Sequence, residues 1–164
     1  MATILELVRS GVLYRLDPGL GPREMEVRRI FLLPRARDWM AKELLEAGSS
    51  WNIEEDPVQQ LDALVYEFCV GEPLAIGQRF KALRPVGNGV WELKTADLRL
   101  FGWFVQKDCF IICDCDTTSR VKQFHLYSGY RDQAVRFRER LDLDEPKFVS
   151  GDDPDDVVSD CYQP

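Results

Sequence analysis

The chain lacks several of the features that most readily place a protein in a class. No uninterrupted apolar run approaches the ~20 residues a membrane helix requires. The opening MATILELVRSGVLYRLDPG has no secretory pattern. No membrane partner is therefore expected, and the cytoplasm is the expected compartment. Cysteine occurs five times, at Cys69, Cys109, Cys113, Cys115 and Cys161. An odd count at irregular spacing, without an export signal, argues against a disulfide framework. Cys109, Cys113 and Cys115 form C-x3-C-x-C, which lacks the tight-turn spacing of a structural zinc site. They read as buried thiols sharing one strand face, and neither a metal nor a small-molecule cofactor is expected. No internal repeat is present, and histidine occurs once, at His125.

What is there describes an ordinary folded globule. The 164 residues suit one domain, with 45% hydrophobic and 11% aromatic content. The formal net charge of -7 is unevenly spread. Residues 1–78 carry -5, residues 79–140 carry +5 and residues 141–164 carry -7. The middle third can face a polyanion, although the whole protein would not be drawn to one from a distance. The acidic run Asp152-Asp153-Pro154-Asp155-Asp156 suits a solubilising terminus, or a mask for that basic middle.

Hydrophobic periodicity places the elements. Ile4–Val8 and Val12–Leu16 allow two short strands in an N-terminal extension over residues 1–22. Glu26–Leu33 suits a strand, ended by Pro34. Residues 35–47 read as a helix with Trp39, Met40, Leu44 and Leu45 on its apolar stripe. Ser49–Glu55 reads as a loop. Asp56-Pro57 opens a second helix, in which Asp caps, Pro takes the first position and Gln59 completes a capping box. Gly71 stops it. Pro73–Leu83 suits a short helix or turn, followed by a Gly87-Asn88-Gly89 turn. Gly89–Asp116 then reads as three antiparallel strands separated by short polar breaks. Arg120–Leu126 is read as a fourth strand and Tyr130–Leu141 as an amphipathic helix exposing Arg131, Arg136, Arg138 and Arg140. Residues 142–164 read as an acidic tail, disordered at its far end. The expected class is α+β: a twisted, mainly antiparallel sheet of four to five strands, two N-terminal helices packed on one face, and a C-terminal helix.

Three segments in that order carry a family resemblance: VRRIFLLP (Val27–Pro34) running into a helix, FKAL (Phe80–Leu83) followed by GVWELK (Gly89–Lys94), and LRLFGWF (Leu98–Phe104). Together, over residues 23–141, they resemble the RelE/ParE superfamily of toxins, in its HigB-like, phage-derived branch. The resemblance implies a RelE-like fold and metal-independent cleavage of mRNA, usually on the ribosome. It also implies a cognate antitoxin as partner. That chemistry needs a base for the RNA 2′-hydroxyl, cations for the phosphate and an acid for the leaving oxygen. The alternative is a catalytically inactive binding protein of the same fold that docks on a host or antitoxin protein.

The candidate residues follow from their chemistry. Arg99, mid-strand beside apolar neighbours, can clamp a phosphate with a bidentate fork; its structural reading is a salt bridge to an acid such as Glu92. His125 is the side chain that titrates near neutrality unaided. Tyr127, Tyr130 and Arg131 can stack on a base and hold a phosphate, or simply pack the last helix. Lys81, Arg84 and Lys94 can line a backbone groove, or remain solvated. Arg99, His125, Tyr127 and Arg131 are the candidate catalytic set, and Lys81, Arg84, Lys94 and Tyr130 the candidate RNA-binding set.

Overall fold

The computed structural model describes residues 1–49, 53–85 and 88–164. The middle of the expected Ser49–Glu55 loop and the start of the Gly87-Asn88-Gly89 turn lie outside the described residues. In chain order the elements are α1 (Ile4–Arg9), β1 (Tyr14–Arg15), β2 (Arg29–Leu32), α2 (Pro34–Ala41), α3 (Glu43–Glu46), α4 (Pro57–Val70), β3 (Leu74–Ala75) and β4 (Phe80–Ala82). They continue with β5 (Trp91–Lys94), β6 (Leu98–Gln106), β7 (Cys109–Thr117), α5 (Thr118–Gln123), α6 (Tyr127–Arg140), α7 (Pro154–Val157) and β8 (Cys161–Tyr162). The chain is α+β. Its main sheet has six strands in the order β1-β2-β7-β6-β5-β4. The sheet is mixed, because β2 runs parallel to β7 while the other neighbours are antiparallel.

Helix α4 forms for the reasons its sequence states. Asp56 accepts from the Gln59 amide at 2.9 Å, the Gln59 side chain accepts from the Asp56 amide at 2.9 Å, and Pro57 opens the first turn. Gly71 ends it at φ 89°, in the left-handed region that favours glycine.

Other elements depart from expectation. Residues 4–9 are a helix rather than a strand, because Thr3 and Glu6 close a capping box around its first turn. The helix expected over 35–47 is broken at Lys42 into α2 and α3, and Leu45 points outward, 69% exposed. Pro73–Leu83 yields β3 and β4 rather than a helix. Residues 118–123 are helical instead of a fourth strand: Thr117 caps them with its side-chain oxygen.

Helices cover both faces of this sheet, which has six strands where four to five are expected. Two cores lie on opposite faces of the sheet. Leu98, Leu100, Phe104, Phe110, Ile112 and Cys115 meet α2, α3 and α4 through Ala36, Leu44, Leu61, Leu64 and Phe68. Phe101, Trp103, Cys109, Ile111 and Cys113 meet α1, α5 and α6 through Leu7, Val121 and Ala134. Strand alternation sets this division, and one β-bulge resets it. In the β6–β7 ladder Phe101 faces Asp114 and Gly102 faces Ile112, so Cys113 has no partner of its own. Cys115 therefore falls into the first core while Cys109 and Cys113 lie in the second, so the three thiols do not share a face. Gly102 sits opposite the bulge; a Cβ there would lie 1.8 Å from the Ile111 carbonyl oxygen.

The C-terminal segment is ordered, not a disordered tail. Val157 and Val158 are fully buried in the first core, and β8 pairs in parallel with β3. Residues 1–22 likewise belong to the fold, since Leu7 and Leu13 are buried in the second core. The tail is held by Arg28, which is fully buried. Its guanidinium donates to the carbonyls of Phe68 at 2.9 Å, Glu72 at 3.0 Å and Ser159 at 2.5 Å, and its Nε lies 3.5 Å from Asp108. Burial lowers the pKa of this guanidinium, which Asp108 counters. Replacing it strands buried carbonyls. The expected result for Arg28→Met is a loss on the order of 3 kcal/mol in denaturant unfolding, with new protease cleavage near Ser159 at concentrations that spare the wild type.

Candidate functional site

At the β4–β5 end of the second face the sheet is not closed over by helices. A cavity of about 400 Å³ opens there, lined by Lys81, Arg84, Glu92, Lys94, Arg99, Lys122 and Tyr127. Register explains the gathering. Lys81 of β4 is paired with Glu92 of β5, and Glu92 with Phe101 of β6. One step along, Lys94 is paired with Arg99, and Arg99 with Asp116 of β7. Cross-strand partners present their side chains on the same face, so two polar rungs lie side by side. Helix α5 adds Lys122, and the first residue of α6 adds Tyr127.

Arg99 is the fixed member. It is only 6% exposed, and its Nη1 donates to the Thr95 carbonyl at 2.6 Å, the Leu98 carbonyl at 3.0 Å and the Thr118 hydroxyl at 3.0 Å. Its Nε donates to the Tyr127 hydroxyl at 3.3 Å. No salt bridge to Glu92 forms among the described residues. Lys94 is half-buried and donates from Nζ to the Gly77 carbonyl at 2.8 Å; burial, then the neighbouring Arg99, lowers its pKa. Lys81, Arg84 and Lys122 are exposed at the rim.

Among these cations lies one carboxyl. Glu92 is 3% exposed, and its Oε2 has no hydrogen-bond partner among the described residues. Burial raises its pKa, opposed by the charges of Arg99, Lys94, Lys81 and Lys122. An orphaned carboxyl oxygen in a cationic cavity is a group waiting for a donor.

The candidate residues divide accordingly. Lys81, Arg84, Lys94, Arg99 and Tyr127 meet in this cavity. His125, Tyr130 and Arg131 do not line it. His125 is exposed in the turn between α5 and α6, at φ 53°. Arg131 donates to the Arg84 carbonyl at 2.6 Å and pairs with Asp132 at 2.9 Å, so it braces the cavity wall from outside. Tyr130 stacks on Phe101 with ring centroids 4.7 Å apart and donates to Asp116 at 2.6 Å. Its ring packs α6 onto the sheet, and burial together with Asp116 pushes its phenol pKa up. The helix expected to expose Arg138 instead buries it, 6% exposed, over the Phe148 ring.

Sequence reasoning missed Glu92 as a site residue and Lys122 altogether. Alternation alone would have put Glu92 beside Lys94. Lys122 was hidden by the strand reading of its segment, although Thr117 ahead of it is a helix-capping residue.

The two carboxylates near the end of β7, Asp114 and Asp116, do not line the cavity. Asp114 pairs with Arg35 at 2.6 Å and Asp116 with Arg120 at 3.2 Å, both nearly buried. Their charge is thus answered within the fold. Among the described residues no group of three or more His, Cys, Asp or Glu side chains is placed to hold a metal ion. No helix there is long and apolar enough to cross a membrane.

No family model, curated protein or solved structure matches this chain. The cavity must be read from its own chemistry.

Burial of Glu92 has a pH signature. Its folded-state pKa is raised above the ordinary 4.5, so the folded chain holds the proton more tightly than the unfolded one. Stability from this group is then present below about pH 4 and is lost as pH rises towards the raised value. Glu92→Gln, which keeps shape without charge, should melt at a higher temperature than wild type at pH 7. The gap should close as pH falls to 4, read by calorimetry across that range.

Proposed function

We propose that the protein is a RelE/HigB-like, RNA-directed factor that seats an RNA phosphodiester in the cavity between β4, β5, α5 and α6 and cleaves mRNA there without a metal. The observation that carries this reading is the convergence of Lys81, Arg84, Lys94, Arg99 and Lys122 on one orphaned carboxyl, Glu92. The cations answer the charge that builds on the phosphate in the transition state. Glu92 takes the proton of the ribose 2′-hydroxyl as that oxygen bonds to the phosphorus and the bond to the 5′-oxygen breaks, with water protonating the leaving oxygen; burial raises the pKa of this carboxyl and so strengthens it as a base. Tyr127 offers its ring to a base and its hydroxyl, already held by Arg99, to the phosphate.

The reading moves the proton chemistry away from His125 and leaves Arg131 a positioning role. It also assigns no side chain as the leaving-group acid, and that favours a second reading. On this view the chain is a catalytically inactive binding protein of the same fold, docking on an antitoxin or host protein.

Expression in cells separates the two. The wild type should arrest growth and fragment transcripts, whereas Glu92→Gln should slow cleavage by about 10² or more and leave RNA binding within about threefold. Lys122→Glu should weaken binding of a fluorescent single-stranded RNA about tenfold or more and flatten its salt dependence. Intact transcripts with RNA binding preserved would leave the binding-protein reading. No RNA binding by the wild type would remove the RNA assignment.

A further inference from the structure

The cations of the candidate site are not reserved for it. Lys81 and Arg84 lie on and just after β4, the edge strand of the main sheet. They line the cavity described above, and they also line a second one, of about 180 Å³, with Ile76, Trp91, Asp152 and Pro154. The edge strand is therefore a thin partition between an RNA-directed cavity and the most acidic stretch of the chain, Asp152 to Asp156.

That acidic stretch is held there by the fold. Upstream, the Val149 amide donates to the Phe104 carbonyl at 2.8 Å. Downstream, Val157 and Val158 are buried. The Asp108 amide donates to the Val157 carbonyl at 2.8 Å, and the Asp108 carboxylate accepts from the Ser159 amide at 2.8 Å. A segment pinned on both sides cannot drift away from the two rim cations, so its charge acts on them at high effective concentration.

We propose that Asp152–Asp156 is a built-in competitor for Lys81 and Arg84, weakening RNA binding at the neighbouring cavity. The inference rests on the RNA reading of that cavity and adds its regulation. Long flexible side chains at a sheet edge can turn to either face. The acidic segment draws them to one face, and an incoming phosphodiester must win them back. The protein's overall negative charge and its local basic cavity are then two parts of one balance, and anything that neutralises or displaces the segment tightens the site.

The test compares binding of a fluorescent single-stranded RNA to the full-length protein by anisotropy, at low and high salt. Asp152→Asn and the double variant Asp152→Asn/Asp153→Asn remove charge; asparagine at 153 can keep the cap that Asp153 gives the Asp155 amide. Asp62→Asn, on the exposed face of α4, removes one charge elsewhere, the same change as Asp152→Asn alone. The expected result is affinity about threefold to tenfold tighter for the double variant at low salt, shrinking as salt rises. Asp62→Asn should bind like wild type. The gain should vanish when Lys81→Ala/Arg84→Ala is added. A double variant no tighter than Asp62→Asn, or a gain that survives loss of Lys81 and Arg84, overturns the competitor while the RNA reading stands. Wild-type RNA binding that is absent, or unchanged by Lys122→Glu, overturns the RNA reading and the competitor with it.

Discussion

One guanidinium ties the sheet to the helices that cover it. Arg99 reaches the turn between β5 and β6 through the Thr95 carbonyl, α5 through the Thr118 hydroxyl, and α6 through the Tyr127 hydroxyl. A buried arginine is costly unless its donors are satisfied; here carbonyls and hydroxyls accept from it, and among the described residues no carboxylate forms a salt bridge with it. The cross-strand partner Asp116 is engaged instead by Arg120 and Tyr130. The consequence is electrostatic. A salt-bridged Arg99 would have cancelled its charge at the cavity, whereas neutral acceptors leave the charge available to whatever enters. The residue is a structural hub and a source of positive potential at once, so any substitution there mixes folding with function. The rim residues Lys81 and Lys122 are the cleaner probes of the site.

The placement of negative charge follows from the bulge in β7. Without the unpaired Cys113, strict alternation would have set Asp114 and Asp116 on the face of Phe104 and Phe110, in the first core. With it, both carboxylates share the face of Arg99 and Phe101, where Arg35, Arg120 and Tyr130 answer them under α6. Gly102, opposite the bulge, is what lets the two strands approach. A one-residue irregularity thus keeps two acids out of an apolar core, and their pairing beneath α6 leaves the open end of the sheet dominated by cations.

What the sequence could reveal was whatever is decided locally. The helix α4 was legible because Asp56, Pro57, Gln59 and Gly71 each settle their own backbone neighbourhood. The β5-β6-β7 meander was legible because its strands are consecutive. The parallel β2–β7 pair was not, since the two strands lie some 80 residues apart and neither advertises its partner. The tail was misread for a related reason. Eight acids among its 23 residues signal disorder on composition, yet Val157 and Val158 find a core built by α4 and β3, and Arg28 satisfies the carbonyl beside them. Lys81, Arg84, Lys94 and Arg99 share one cavity because cations on neighbouring strands converge wherever the register allows. Chemistry singles out His125, while topology leaves it in an exposed turn outside that cavity.

Net charge and cavity charge are of opposite sign. A chain of net charge -7 should repel a polyanion at long range. At ~8 Å, the screening length in physiological salt, net charge matters less than what lies within a few side chains of the ligand. Inside the cavity five cations face one largely desolvated carboxyl. Attraction therefore sets in only after an encounter, which favours a ligand delivered or held near the protein by another contact over one captured from free solution. On the proposed reading, a site of this kind would gain selectivity from weak steering: the surrounding acidity would turn loose polyanions away, and only a phosphate already at the mouth of the cavity would meet the rungs of β4, β5 and β6.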